Sequence, residues 1–365
     1  MAGRIGKKNY LEQLKSHQLL KNTSFHKSFK LNGESFSDKD ELLDFSKEIS
    51  DSIFSFFNDW FNTNDFVVVN TSGSTGTPKP IKLKKEFMKN SAVATGTFFN
   101  LREGTTALLC LSTDYIAGKM MLVRALTLGW EIDIVAPVSN PLEGLKKKYD
   151  FSAMVPMQLR NSLNELYKID KLIVGGGVVS NDLIEEIQEK ETKIYATYGM
   201  TETITHVAIK KLNHVALSDY NTYEALPSVN FSKDSRNCLV IEAPKVTVEK
   251  LITNDVVSLI SDKEFDWLGR FDNVINSGGV KLHPEKIEEK LSKIISERFF
   301  VIGVPDTLLG EKLILIVEGK KKNILLNNFQ DLSKYEVPKE IYFLDKFIET
   351  ETKKIQRKKT LDLIG

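Results

Sequence analysis

From residue 66 to residue 203 the sequence alternates apolar runs with helix-like stretches, and this alternation limits the fold more than any other feature. Strands are expected at 66–70, 106–111, 131–135, 152–155, 171–174 and 193–197. Helices are expected at 84–99, 116–128, 157–167 and 182–190, with Asn181 capping the last. Continuous apolar strands separated by helices imply a largely parallel sheet covered on both faces. Ligands of such sheets sit beyond the carboxyl ends of the strands. Residues 71–79, 175–177 and 198–203 each follow a strand, so all three are expected to face one crevice.

The first of these stretches is Thr71, Ser72, Gly73, Ser74, Thr75, Gly76, Thr77, Pro78 and Lys79. Its glycines let backbone N–H groups close around an anion, its hydroxyls add donors, and Lys79 adds charge. That chemistry suits a triphosphate. No Gly-Lys-Ser/Thr closes it, so it is not a Walker loop. By composition alone it also describes an ordinary flexible loop.

Residues 1–65 are polar with scattered aromatics. Leu42, Leu43, Phe45, Ile49, Ile53, Phe56, Phe57 and Trp60 recur at helical spacing after Ser37-Asp-Lys-Asp-Glu41, a stripe that reads as core packing. Residues 204–268 change character: short β-rich runs at 207–210, 238–242, 246–249 and 256–260 suggest a small antiparallel or barrel-like subdomain. A boundary is expected at Gly269-Arg-Phe-Asp272. Beyond it, helices at 284–295 and 327–332 and strands at 299–304, 313–317 and 340–344 form a lobe of their own. The expected class is α/β: a large N-terminal lobe of mostly parallel sheets and helices with a small β-rich subdomain (1–268), then a mobile α+β lobe (269–365).

With 50 Lys+Arg against 49 Asp+Glu, charge gives no case for nucleic acid or an anionic membrane as partner. Cys110 and Cys238 lie in apolar runs, without zinc spacing, and read as buried thiols of a reducing compartment. No apolar run approaches the length of a membrane span. A cytoplasmic protein is expected.

Three further motifs follow: Tyr198-Gly-Met-Thr-Glu-Thr203, the long run from Gly269 to Glu288, and Thr350-Glu-Thr-Lys-Lys-Ile-Gln-Arg357. In this order, with the glycine-rich loop, they resemble the adenylate-forming superfamily of acyl-CoA synthetases, luciferases and peptide-synthetase adenylation domains. The resemblance covers roughly 66–357. It implies attack of a carboxylate on the α-phosphate of ATP, then displacement of AMP by a thiol, usually that of CoA. It implies ATP, Mg2+ and CoA as cofactors, a small carboxylic acid as substrate, and admits a homodimer.

Carried over residue by residue, the resemblance has residues 71–79 wrapping the β- and γ-phosphates, and Gly175, Gly176, Gly177 and Tyr198 flanking adenine. Gly199 and Met200 join the nucleotide site, Thr201 contacts the α-phosphate, and Glu202 binds magnesium. Asp255, assisted by Arg270, holds the ribose hydroxyls; the superfamily has Thr-Gly-Asp where this chain has Thr253-Asn-Asp255. Asp272 is the hinge, and Gly278 and Gly279 line a pantetheine passage. Lys354 reaches into the site for the first step, with Lys353 as the alternative. The non-catalytic alternative, a nucleotide sensor, has no need of such a lysine.

Within the superfamily, Leu111-Ser-Thr-Asp-Tyr-Ile-Ala-Gly118 with Arg124, Ser152-Ala-Met-Val-Pro-Met-Gln-Leu159 and Ile173-Val-Gly-Gly-Gly177 are most similar to the o-succinylbenzoate–CoA ligases of menaquinone synthesis, in shortened form. That acid has two carboxylates, so a contact beyond the reacting end is needed. Tyr115, Lys119, Arg124 and His206 are the candidates, with Lys119 or Arg124 meeting the distal carboxylate. The other reading of the two cations is a place on the surface or beside acidic neighbours. A different aryl or fatty acid, or a carrier-protein acceptor, keeps the chemistry and changes the pocket.

Overall fold

The computed structural model describes residues 25–70, 80–215, 221–324, 331–350 and 355–364. The described chain opens with a short ribbon, β1 (Lys30–Leu31) and β2 (Glu34–Ser35), and helices α1 (Lys39–Ile49) and α2 (Asp51–Phe61). A hairpin, β3 (Phe66–Asn70) and β4 (Pro80–Lys84), leads into α3 (Lys85–Phe99). Then come β5 (Thr106–Leu109), α4 (Ile116–Leu128), β6 (Glu131–Ile134), β7 (Tyr149–Met154), α5 (Pro156–Asn161), β8 (Ile169–Val174), α6 (Asn181–Glu186) and β9 (Lys193–Gly199). Six more strands follow: β10 (His206–Lys211), β11 (Tyr223–Ala225), β12 (Asn230–Lys233), β13 (Cys238–Glu242), β14 (Leu251–Leu259) and β15 (Glu264–Arg270). The last section holds β16 (Ile275–Ser277), β17 (Val280–Leu282), α7 (Pro284–Leu291), β18 (Phe299–Asp306), β19 (Gly310–Glu318), β20 (Glu340–Leu344) and α8 (Arg357–Leu361).

Among the described residues, β1, β2 and β5 to β15 form one sheet, ordered β12-β13-β14-β15-β11-β10-β9-β8-β7-β5-β6-β1-β2. From β9 through to β1 the pairs are parallel. From β9 out to β12 they are antiparallel. The β-rich stretch expected as a subdomain is therefore hydrogen-bonded onto the parallel half through β9 and β10. Alternate residues of the parallel strands feed two cores. Ala107, Leu109 and Ile173 join one, with α1 to α4, while Leu108, Leu172 and Val174 join another with Leu159 and Leu183. Burial on both faces is why these strands read as unbroken apolar runs.

Four expectations are corrected. The 66–70 strand is not part of the parallel sheet; it pairs antiparallel with β4 in a two-stranded ribbon, Asn70 opposite Pro80. The apolar stripe spans two helices, because Ser50 adopts extended φ −168°, ψ 152°, ending α1 and capping α2 with its hydroxyl on the Ile53 N–H at 3.2 Å. A serine that bonds its own neighbours breaks a helix that the apolar period would continue. Leu42, Ile53, Phe56, Phe57 and Trp60 are buried as the stripe requires. Residues 246–249 form a turn on the Ala243 carbonyl, not a strand. Asn181 does not cap α6; Ser180 holds that position. The expected helix at 327–332 falls largely outside the described residues.

After Arg270 the chain leaves the large sheet and joins a second sheet, β17-β16-β19-β18, with β20 parallel to β19. Helix α7 packs back against the first part of the chain. Lys286 meets Asp266 on β15 at 3.1 Å, and Asn181 Nδ2 donates to the Glu289 carbonyl at 2.7 Å and to Ser292 Oγ at 3.0 Å.

Candidate active site

Adjacent parallel strands β8 and β9, in register with Val174 opposite Ala196, deliver two of the expected nucleotide elements to one end of the sheet. Gly175 follows β8 so closely beside Thr197 that a Cβ there would lie 2.5 Å from its Oγ1. Tyr198 ends β9. Its hydroxyl donates to Asp255 Oδ2 at 2.7 Å, and its ring meets Phe265 and Tyr223 edge-on. Burial and the adjacent Asp255 carboxylate push the phenol well above its ordinary range.

Asp255 is buried on β14, its Oδ1 accepting from Trp267 Nε1 at 3.2 Å. Arg270 is its direct cross-strand neighbour on β15, 3.6 Å away, and also lies 3.6 Å from Asp272. The structure thus gathers Tyr198, Trp267 and Arg270 around the buried Asp255 carboxylate.

Thr201 and Glu202 sit on a single helical turn after β9, with Glu202 exposed. One exposed carboxylate suits magnesium, which takes one or two carboxylates and completes its shell with other oxygens, such as those of phosphate and water. Gly199 lets this turn fold back, since a Cβ there would lie 2.1 Å from the Thr205 carbonyl oxygen. The turn closes through Ile204 at φ 69°, ψ −62°, with the Thr205 N–H on the Thr203 carbonyl at 2.8 Å. This is a γ-turn of the strained hand. For a buried β-branched residue it costs on the order of 1–3 kcal/mol. Thr203 holds it, its Oγ1 accepting from the Met200 N–H at 2.9 Å and donating to the Thr205 carbonyl at 2.7 Å. No sequence pattern points to Ile204.

Directly behind the turn lies Arg124, on α4, 2% exposed. Its Nε donates to Thr95 Oγ1 at 3.3 Å, one amino group to Thr205 Oγ1 at 3.4 Å, and the other lies 3.7 Å from Met121 Sδ. Among the described residues no carboxylate lies within ion-pair reach of it. Burial pulls its pKa down to about 9, so the guanidinium remains charged at neutral pH. His206 Nε2 is 3.3 Å from the same Thr95 hydroxyl, and burial with the Arg124 charge holds this imidazole well below its usual range. A buried cation with only hydroxyl, thioether and neutral imidazole neighbours is costly. Thr95 and Thr205, both outside the sequence reading, build this cluster.

Lys119 and Tyr115 do not join it. Lys119 donates to the Thr113 carbonyl and lies over the Phe56 ring at 5.6 Å, while Tyr115 is exposed. Gly278 (φ 59°) and Gly279 (φ 81°) form the two-residue turn of the β16–β17 hairpin. Positive φ at both positions favours glycine whatever passes nearby. Both are exposed. Residues 71–79, Lys353 and Lys354 lie outside the described residues. The stem that carries the two lysines is described: Glu349 bridges Ile355, Gln356 donates its backbone N–H to the Ile348 carbonyl at 2.8 Å, and Arg357 grips Glu288 through both oxygens at 2.6 and 2.7 Å. Burial pushes the Glu288 carboxyl up to about 7, against the pull of Arg357.

Residues 8–230 match the family described as AMP-binding enzyme. A 2-succinylbenzoate–CoA ligase of Bacillus cytotoxicus is 24% identical over 336 residues, covering 81% of this chain and 70% of that one. The crystal structure of an acyl-CoA synthetase (AMP-forming)/AMP-acid ligase II-like protein from Dyadobacter fermentans is 38% identical with TM-score 0.58, covering 86% of this chain and 94% of that one. The O-succinylbenzoate coenzyme A synthetase of Bacillus subtilis, in complex with ATP and magnesium ion, shares the fold at TM-score 0.69 and 21% identity, covering 81% and 69%. The chain belongs to the AMP-binding enzyme family and is an adenylate-forming ligase.

Proposed function

We propose that the chain activates o-succinylbenzoate with ATP and passes the acyl group to CoA, a step of menaquinone synthesis. Arg124 carries this reading. A guanidinium buried behind the Thr201–Glu202 turn, with no carboxylate in ion-pair reach among the described residues, suits one brought by a ligand, and the acid has a second carboxylate to supply it. Pairing on binding would offset the desolvation cost that the free protein bears.

In this reading Tyr198 and Gly175 to Gly177 flank adenine, Asp255 and Arg270 hold the ribose, Thr201 contacts the α-phosphate, and Glu202 would hold magnesium, which would offset phosphate charge. Residues 71–79 hold the β- and γ-phosphates. A carboxylate oxygen bonds to the α-phosphorus as the bond to pyrophosphate breaks. Lys354, borne on the stem that Arg357 and Glu288 fix, offsets the charge of the approaching anions. The chain is then two lobes, 1–268 and 269–365, turning about Asp272. After the turn, Gly278 and Gly279 face the pocket, the thiol sulfur bonds to the acyl carbon, and AMP leaves with the bridging oxygen.

Incubation with ATP, magnesium, CoA and o-succinylbenzoate, following pyrophosphate and thioester mass together, tests this. A thioester lost in Lys354→Ala supports the reading, and loss in Lys353→Ala alone moves the role by one residue. Turnover with other acids but not this one would sink the substrate assignment.

A further inference from the structure

The turn between β12 and β13 carries a guanidinium that no step of the proposed reaction uses. Asp234 shapes this turn. Its Oδ1 accepts from the backbone N–H groups of Arg236 at 2.8 Å and Cys238 at 2.9 Å, and its Oδ2 accepts from Arg236 Nε at 2.8 Å. The fork of Arg236 is thereby aimed at β14. Nη1 donates to Asn254 Oδ1 at 2.9 Å and Nη2 to the Thr253 carbonyl at 3.1 Å. The guanidinium lies 5.1 Å from the centroid of the Phe271 ring. Asn254 in turn directs its Nδ2 to Asp272 Oδ2 at 3.4 Å.

Phe271 and Asp272 open the turn by which the chain leaves the large sheet. On the far side of that turn, Asn273 donates to Glu285 at the start of α7. One end of the connection is thus held by Arg236 and Asn254, and the other by the second sheet's own helix. Asn254 stands where the resemblance leads one to expect glycine. Glycine has neither Oδ1 nor Nδ2, so the link from Arg236 through position 254 to Asp272 exists only because asparagine is there.

We infer that Arg236 and Asn254 are positioning residues, a latch that favours the lobe orientation seen here over the other orientation used in the reaction. This rests on the reading of Asp272 as a hinge between two half-reactions. In this orientation a Cβ at Gly279 would meet nothing within 4 Å and one at Gly278 only Leu309 of the same lobe, so the hairpin does not pack against the large sheet and the latch is assigned to the adenylating step. A contact shifts a two-state equilibrium only if it differs between the states. Those from Arg236 to Phe271 and from Asn254 to Asp272 cross the connection that must turn. Half-exposed hydrogen bonds and a cation–π contact bias such an equilibrium about three- to tenfold.

The test uses the full chain as wild type, Arg236→Ala, Asn254→Gly and Phe271→Ala. Three quantities are read: ATP–pyrophosphate exchange with acid, thioester formation from supplied acyl adenylate and CoA, and the inter-lobe distance distribution between two dyes. The latch requires exchange to fall about three- to tenfold, thioester formation to hold or rise, and the distance distribution to move away from the present orientation. Arg236→Lys, which keeps charge but loses the fork, should recover only part of the exchange. Unchanged distances and an unchanged ratio of the two rates, in a wild type that performs both, would overturn the latch and leave the two-step reading standing. An equal fall in both rates with a lowered Tm would also overturn it, as a merely structural role. A wild type that performs neither half-reaction would overturn the two-step reading, and the latch with it.

Discussion

Arg124 and Arg236 are treated in opposite ways by the same fold. Arg124 is sealed inside the first core, held by two threonine hydroxyls and a thioether with no carboxylate among the described residues. Arg236 is half-buried, and every arm of its fork is engaged, on Asp234, Asn254 and the Thr253 carbonyl. Where water competes, an ion pair contributes little alone, and a network is needed to fix direction. Where water is excluded, a lone charge is expensive and persists only if something else repays it. The network at Arg236 fits a part that turns, and the lone charge at Arg124 a pocket that waits for an anion.

The largest expected effect is therefore at Arg124. Arg124→Met should lower kcat/KM for o-succinylbenzoate by about 10²- to 10³-fold, the usual consequence of removing one member of a buried charge pair. It should not lower Tm, because a buried unpaired cation is being replaced by an apolar side chain of similar length. Steady-state kinetics beside thermal melts decide it. Retained activity with a Tm several degrees lower would make Arg124 structural and erase the contrast with Arg236.

Glu288 and Arg357 lie between these extremes, a two-pronged pair with side chains 18% and 21% exposed. Glu288→Ala leaves the guanidinium with only the Val301 carbonyl at 3.0 Å and Glu285 at 3.9 Å as polar partners among the described residues. Allowing for its partial exposure, the cost is about 2–3 kcal/mol, the lower end for a broken buried pair. Denaturant unfolding followed by a probe in the second sheet measures it. Because Arg357 anchors the stretch that follows Lys354 in the sequence, and Lys354 is proposed for the first step, ATP–pyrophosphate exchange should fall more than thioester formation from supplied acyl adenylate. Equal losses would detach the stem from the first step.

What could be read in the sequence depended on whether the deciding partner was near in the chain. The helix at 116–128, the strand at 238–242 and the strand at 340–344 fell where the apolar pattern put them. Asp255 and Arg270 were singled out by the resemblance to the superfamily, and the sheet pairs them directly. The β3–β4 ribbon was misread because its valine run mimics a strand buried on both faces, whereas Val68 is 46% exposed. The break at Ser50 was missed because the apolar period runs through it. The surroundings of Arg124 were out of reach: Thr95 and Thr205 lie 29 and 81 residues away along the chain. The strain at Ile204 is a property of backbone closure, which side-chain pattern does not encode.

His206 gives the next effect in size and tests whether the Arg124 pocket is as closed as its hydrogen bonds suggest. Burial, then the neighbouring guanidinium, hold its pKa well below 6.5 in the folded chain. The unfolded chain therefore binds a proton that the folded chain refuses. Its stabilising contribution is complete above pH 6.5 and is lost as pH falls below that value toward the folded pKa. The loss approaches about 1.4 kcal/mol per pH unit. His26 and His283 are shifted in the same direction, so the comparison is with His206→Asn, which retains both. Urea unfolding at pH 7, 6 and 5 should show a shallower loss for the variant. Parallel lines would mean that His206 titrates normally and that the cluster is open to water.

Lys119 should respond least, although the sequence offered it and Arg124 on equal terms. They share α4 but point to different neighbours. Lys119 is spoken for by the Thr113 carbonyl and the Phe56 ring, and burial lowers its pKa without bringing it to Arg124 or His206. A cation–π contact of this exposure contributes about 0.5–1 kcal/mol. Lys119→Ala should accordingly lose roughly that in stability and leave KM for the acid within about twofold, a change too small for a lost carboxylate partner, which costs on the order of 2 kcal/mol or more. A KM increase matching that of Arg124→Met would mean that both cations meet the acid, and that α4 turns in its presence to bring Lys119 inward. The absence of a carboxylate beside Arg124 would then be an incomplete measure of the pocket, because its second cation would be parked on Thr113 until substrate arrives.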